Sequence, residues 1–116
     1  YSLLGSRISK YSYFIWLNSS VRGPFLPSYL DTTYHWTRAF TGKLNDRIKL
    51  VGSTISCGMT GDHPPALHIQ TYAVATDTVG LELLQRNDTI VKCYDTLEDV
   101  VFFSERGVSE TILNAG

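Results

Sequence analysis

This chain predicts an α/β fold with a mixed or mostly parallel central sheet and flanking helices, on three observations. Tyr13–Leu17 (YFIWL) is apolar or aromatic at every position, the pattern of a strand covered on both sheet faces. Two further stretches, Arg47–Ser56 and His68–Ala75, carry the Ile, Val, Thr and Tyr content of strands. Apolar residues recur at helical spacing in the segments between and after them.

Taken in order, Leu3–Ser9 reads as the tail of a preceding element and Tyr11–Leu17 as the first strand. Pro24 and Pro27 then forbid a continuous helix and hold a loop open. Trp36, Ala39, Phe40 and Leu44 recur at helical spacing over Tyr34–Leu44, with capping oxygens at Asp31–Thr33. At that spacing Trp36 is a core anchor rather than a platform for sugar stacking. Lys49–Thr54 is the centre of the second strand and Ile69–Ala75 that of the third. Between them Gly58–Pro65 forms a loop holding Asp62 and His63, a lid over a cleft if it has a functional part. Thr76 or Asp77 caps a helix over Asp77–Gln85 bearing Val79, Leu81 and Leu84. Ile90–Tyr94 reads as short and extended, Leu97–Phe103 as apolar, and Glu105–Leu113 as the last helix.

Composition narrows the function classes. At 116 residues the chain is one domain or part of one, and with Tyr1 at its start and Met59 its only methionine it reads as a fragment. A formal net charge of −1 and scattered basic residues give no electrostatic reason to expect nucleic acid or an anionic membrane as partner. No apolar stretch is long enough to span a bilayer. Cys57 and Cys93 are too few and too far apart for a disulfide framework or a paired zinc motif, and read as small buried side chains. Asn18-Ser19-Ser20 and Asn87-Asp88-Thr89 match the glycosylation acceptor pattern, the second in an accessible polar loop, which leaves a cytoplasmic and a Golgi or secretory location both open. A nucleophile elbow, a phosphate-cradling Gly-Lys-Ser/Thr loop and a dinucleotide fingerprint are all missing from the sequence.

The chemistry concentrates where the first strand stops. Asn18, Ser19 and Ser20 donate and accept hydrogen bonds, Arg22 can grip an anion bidentately, and Gly23 lets backbone approach closely. The position just past the carboxyl end of a buried strand is where open α/β sheets bind ligands.

NSSVRGPFLP (Asn18–Pro27) resembles the signature of the rhamnan synthesis F family of glycosyltransferases and its uncharacterised eukaryotic relatives, with Ser19 where the bacterial members carry Asp. KLVGSTISC (Lys49–Cys57), HIQTYAVATD (His68–Asp77) and SERGVSETILNAG (Ser104–Gly116) follow in the same order. The resemblance implies the central and C-terminal part of one glycosyltransferase-like domain of GT-A type, residues 1–116. Its partners would be a nucleotide sugar and a growing glycan or polysaccharide. It implies further that Asn18, Ser19, Ser20, Arg22 and Gln70 contact substrate, and that Glu105 is the acceptor base. A rival use for Glu105 is to complement the positive end of the last helix. Neither Asn nor Ser is a good sole ligand for magnesium or manganese, so no metal site is assigned and the cofactor stays open. The competing reading is a non-catalytic glycan-binding or scaffolding domain derived from such an enzyme. On either reading the expectation is that this chain alone does not transfer sugar, because the strands that hold the nucleotide precede the motif strand in such folds.

Overall fold

The computed structural model describes residues 5–58 and 67–116 and is a mixed α/β arrangement of small antiparallel sheets packed with helices. A 3-10 turn over Gly5–Lys10 leads into strand β1 (Tyr13–Leu17). A long loop and helix α1 (Arg38–Thr41) follow, then β2 (Leu50–Gly52), β3 (Ile55–Ser56), β4 (His68–Ile69) and β5 (Ala73–Asp77). Helices α2 (Thr78–Gln85), α3 (Asp88–Val91) and α4 (Leu97–Asp99) come next. A π-helical stretch, Val100–Arg106, continues α4 directly into α5 (Gly107–Asn114). The expected lid, with Asp62 and His63, lies outside the described residues.

The three expected strands do share one sheet, but its order is β1-β5-β2 and both pairings are antiparallel. The parallel arrangement is therefore not what these strands form. The buried strand is β5, where Ala73, Val74, Ala75 and Thr76 are all buried. Strand β1 is an edge, with Tyr13 and Leu17 about half exposed (50% and 52%), so its apolar run does not mark a strand covered on both faces. The third predicted strand divides in two: β4 pairs with β3 in a separate two-stranded sheet, and the chain changes sheets across Gln70–Tyr72 before entering β5.

A polar knot holds the sheet to α2. The fully buried Thr76 hydroxyl donates to the Lys49 carbonyl, giving the strand's one buried polar side chain its partner. Asp77 works at both ends of its carboxylate: Oδ1 caps α2 by accepting from Gly80 N (2.9 Å), and Oδ2 pairs with Lys49 Nζ (2.7 Å). This is the predicted helix and its predicted cap. Gly80 is needed because a β-carbon there would stand 2.7 Å from the Lys49 carbonyl oxygen and collide with the Thr76 hydroxyl.

Four local expectations change. Between Tyr34 and Leu44 only Arg38–Thr41 is α-helical; the flanking residues make tighter i→i−3 turns, supported by Asp31 accepting from Thr33 and by His35 bonded to Thr37. Trp36 packs edge-on against Phe40. Asp88–Val91 is a helix capped by Asn87, where Ile90–Tyr94 reads as extended in sequence. The last helix starts at Leu97, not Glu105, because Thr96 caps it: Asp99 N donates to Thr96 Oγ1 (3.1 Å), and the Thr96 hydroxyl donates in turn to Asp99 Oδ2 (2.8 Å). Cys57 and Cys93 are exposed rather than buried.

Gly80→Ala decides whether the knot sets the packing of α2. Alanine gains about 1 kcal/mol of helix propensity, but overpacking against backbone costs roughly 1–3 kcal/mol. The expected outcome is a net loss of stability by denaturant unfolding, with an unchanged slope.

Candidate functional site

Asn18, Gln70 and Glu105 lie around one end of the antiparallel sheet, where β1 finishes and the Gln70–Tyr72 crossover begins. Asn18 continues the β1–β5 ladder by one rung, its N–H donating to the Tyr72 carbonyl (2.8 Å). Its side chain closes an Asx turn: Oδ1 accepts from Ser20 N (3.0 Å), Ser20 Oγ (3.2 Å) and Ser19 Oγ (3.4 Å). Ser19, Ser20 and Arg22 are exposed beyond it. Gly23 takes φ +139°, a conformation closed to side-chain-bearing residues, and the Gly23–Pro24 peptide is cis. Phe25 (86%) and Tyr29 (84%) are the most exposed aromatics of this loop.

Across the crossover the α4–α5 helix supplies what a neighbouring strand would otherwise supply. In extended chain, N–H groups two residues apart point the same way; in a helix, side chains four apart share a face. Ile69 N donates to Ser109 Oγ (2.9 Å), and Thr71 N donates to Glu105 Oε1 (2.8 Å), which also accepts from the Thr71 hydroxyl (3.3 Å). The intervening Gln70 N turns the other way and donates to the Thr54 carbonyl (3.0 Å). Glu105 thus sits in mid-helix within the π-helical stretch, not in a first turn, and its carboxylate is a clamp on the crossover backbone.

Behind the clamp lies an apolar cavity of about 210 Å³ between Trp16 and Val74 of the sheet and Leu84, Ile90 and Val108 of the helices, with Thr71 and Ser104 as its hydroxyls. None of Asn18, Ser19, Ser20, Arg22, Gln70 and Glu105 contributes to its lining. The structure brings Asn18 beside Tyr72 and Glu105 onto Thr71, and leaves Arg22 out on the loop. On the other side of the crossover, hydrogen bonds from the Ser53 and Thr54 side chains hold the Tyr72 phenol below the usual tyrosine range. Among the described residues no three His, Cys, Asp or Glu side chains cluster as a metal site would need, and no helix is long and apolar enough to cross a membrane.

Residues that sequence reading missed are Thr71, Ser109 and Asn87. Asn87 caps α3 by accepting from Thr89 N and Oγ1, while its Nδ2 donates to Thr111 Oγ1 (2.8 Å). The amide of that acceptor pattern is thus engaged in the fold rather than open in a polar loop. A carboxylate and a hydroxyl four residues apart, opposite a strand break, are the signal for the Glu105–Ser109 clamp; neither residue alone reveals it. No protein-family profile, curated protein or solved structure matches this chain.

The clamp separates two substitutions at one position. Glu105→Ala leaves the half-buried Thr71 N–H without its acceptor, which costs about 1–3 kcal/mol. Glu105→Gln keeps an oxygen in place and should cost less than half as much. Equal losses in urea unfolding would show that the hydrogen bond to Thr71 contributes nothing.

Proposed function

We propose that this chain is part of a GT-A-type glycosyltransferase that transfers a sugar from a nucleotide-sugar donor to a glycan or polysaccharide acceptor. The observation that carries the reading is convergence: the stretches Asn18–Pro27, His68–Asp77 and Ser104–Gly116, separate in sequence, are hydrogen-bonded into one locality through Asn18–Tyr72 and Thr71–Glu105. Around that locality Asn18, Ser19, Ser20 and Gln70 offer polar contacts, Arg22 offers a bidentate grip for phosphate, and Phe25 and Tyr29 offer flat apolar faces to a sugar ring. Glu105 has one oxygen on Thr71, and on this reading its second oxygen takes the proton of an acceptor hydroxyl.

A second reading, a non-catalytic glycan-binding domain descended from such an enzyme, is favoured by a specific observation. Asn18 Oδ1 and Glu105 Oε1 both spend their acceptor capacity inside the protein, as structural groups do. The two readings share the exposed loop as the glycan contact and differ only at Glu105.

The test is saturation-transfer NMR against a panel of nucleotide sugars and soluble polysaccharides, with turnover measured on the full-length protein. Arg22→Ala should weaken binding several-fold with an unchanged melting temperature, because Arg22 is exposed. Glu105→Gln should leave binding intact and lower turnover by about 10²–10⁴-fold. Glycan binding with no turnover before or after that substitution selects the binding-domain reading. Absence of binding to either class overturns both.

A further inference from the structure

We propose that the apolar cavity between the sheet and the helices is a binding site for a small neutral aromatic alcohol, a molecule of the size of phenol, whose hydroxyl is recognised by Thr71 and Ser104.

The cavity is assembled from elements distant in sequence. Val74 of β5 and Leu84 of α2, each only 3% exposed, line its buried part, with Trp16 of β1 and Val108 of α5 beside them. Val91 of α3 also lines it and is 47% exposed, so the space reaches the surface and a ligand has a way in. At about 210 Å³ it exceeds the ~150 Å³ of an apolar cavity that holds benzene, which leaves room for a ring and one substituent.

The lining selects among ligands of that size. Among the described residues no charged side chain lines the cavity, and a charge taken into apolar surroundings without a partner is costly, so the ligand is neutral. An anion meets a further penalty, because the Glu105 carboxylate is hydrogen-bonded to Thr71. A monosaccharide would bury most of its hydroxyls against carbon without partners, which separates this cavity from the exposed loop that meets glycan on the sugar-transfer reading. The inference does not depend on that reading.

The two hydroxyls define the polar atom of the ligand. Thr71 Oγ1 directs its proton to Glu105 Oε1 (3.3 Å), so what it has left to offer is lone pairs, and it accepts. Ser104 Oγ can donate as well as accept. A single group that donates to Thr71 and accepts from Ser104 is a hydroxyl; an ammonium only donates and a ketone only accepts. The indole of Trp16 favours a ring as the rest of the molecule, through offset or edge-on aromatic contact.

Phenol is the probe, and toluene, which carries a methyl group where the hydroxyl would be, is its control. Titration of the purified protein followed by ¹H–¹⁵N NMR should give saturable shifts at the amides of Thr71, Val74, Leu84 and Val108 and at the Trp16 indole. The Trp36 indole, which packs on Phe40, should not move. A ligand this small binds with a dissociation constant of micromolar to millimolar order. Toluene should bind at least ~5-fold more weakly, since it leaves both protein hydroxyls facing carbon. Ser104→Ala should weaken phenol binding several-fold and leave toluene binding unchanged. Val108→Phe, which fills the space, should abolish both. Circular dichroism checks that the variants fold; if Val108→Phe does not, the shift map and the Ser104→Ala comparison decide. No saturable binding of phenol, toluene bound as tightly as phenol, equal effects of Ser104→Ala on the two ligands, or shifts scattered away from these residues overturns the proposal.

Discussion

Burial of β5 is the constraint on which the rest of the structure depends. A central strand must satisfy both rows of its backbone groups and lose its side chains from water on both faces, and Ala73–Thr76 meets each demand. Its side chains are small, which lets α2 approach the strand closely enough for Gly80 to lie against Lys49 and Thr76. Asp77 then ends the strand and begins the helix with one carboxylate, held in place by Lys49. Strand register and helix position are coupled at this point, so neither can slip alone.

The geometry of the candidate site follows from that coupling. With β5 fixed, the crossover before it must leave the three-stranded sheet and join β4, and its N–H groups lose strand partners on one side. Glu105 and Ser109 replace those partners from one helix face. The end of β1 is carried to the same place because Asn18 extends the ladder onto Tyr72. A rigid, internally bonded platform results, with the exposed loop Ser19–Tyr29 mounted on its edge. Groups that a ligand can reach lie on the loop, and groups that fix its position lie in the platform. That division is how binding surfaces are ordinarily built on a scaffold.

Sequence made some of this legible and hid the rest for physical reasons. Local signals survived: the Tyr13–Leu17 strand, the Asp77 cap and the helix after it depend on neighbours a few residues away. Strand direction did not, because an apolar run such as YFIWL reads the same in a parallel centre or at an antiparallel edge; what distinguishes them is how many neighbours the fold supplies. Val100–Phe103, two β-branched residues and two aromatics, favours extended chain by propensity, yet the Thr96 cap and packing against the sheet hold it helical. Glu105 was visible as a candidate, but its engagement with Thr71 was not, since that bond spans 34 positions. Asn87 looked like a loop residue because its partner Thr111 lies 24 positions on.

The most direct measurement of the primacy of β5 is native-state amide hydrogen exchange by NMR on dilute protein. The amides of Ala73, Val74, Ala75 and Thr76 should be the slowest in the chain, exchanging only through global unfolding. Their loss of protection should coincide with that of the Gly80 amide, which Asp77 caps. Exchange of Ala73–Thr76 as fast as that of the α1 turns, or slower exchange in β1 than in β5, would contradict a fold organised around the buried strand.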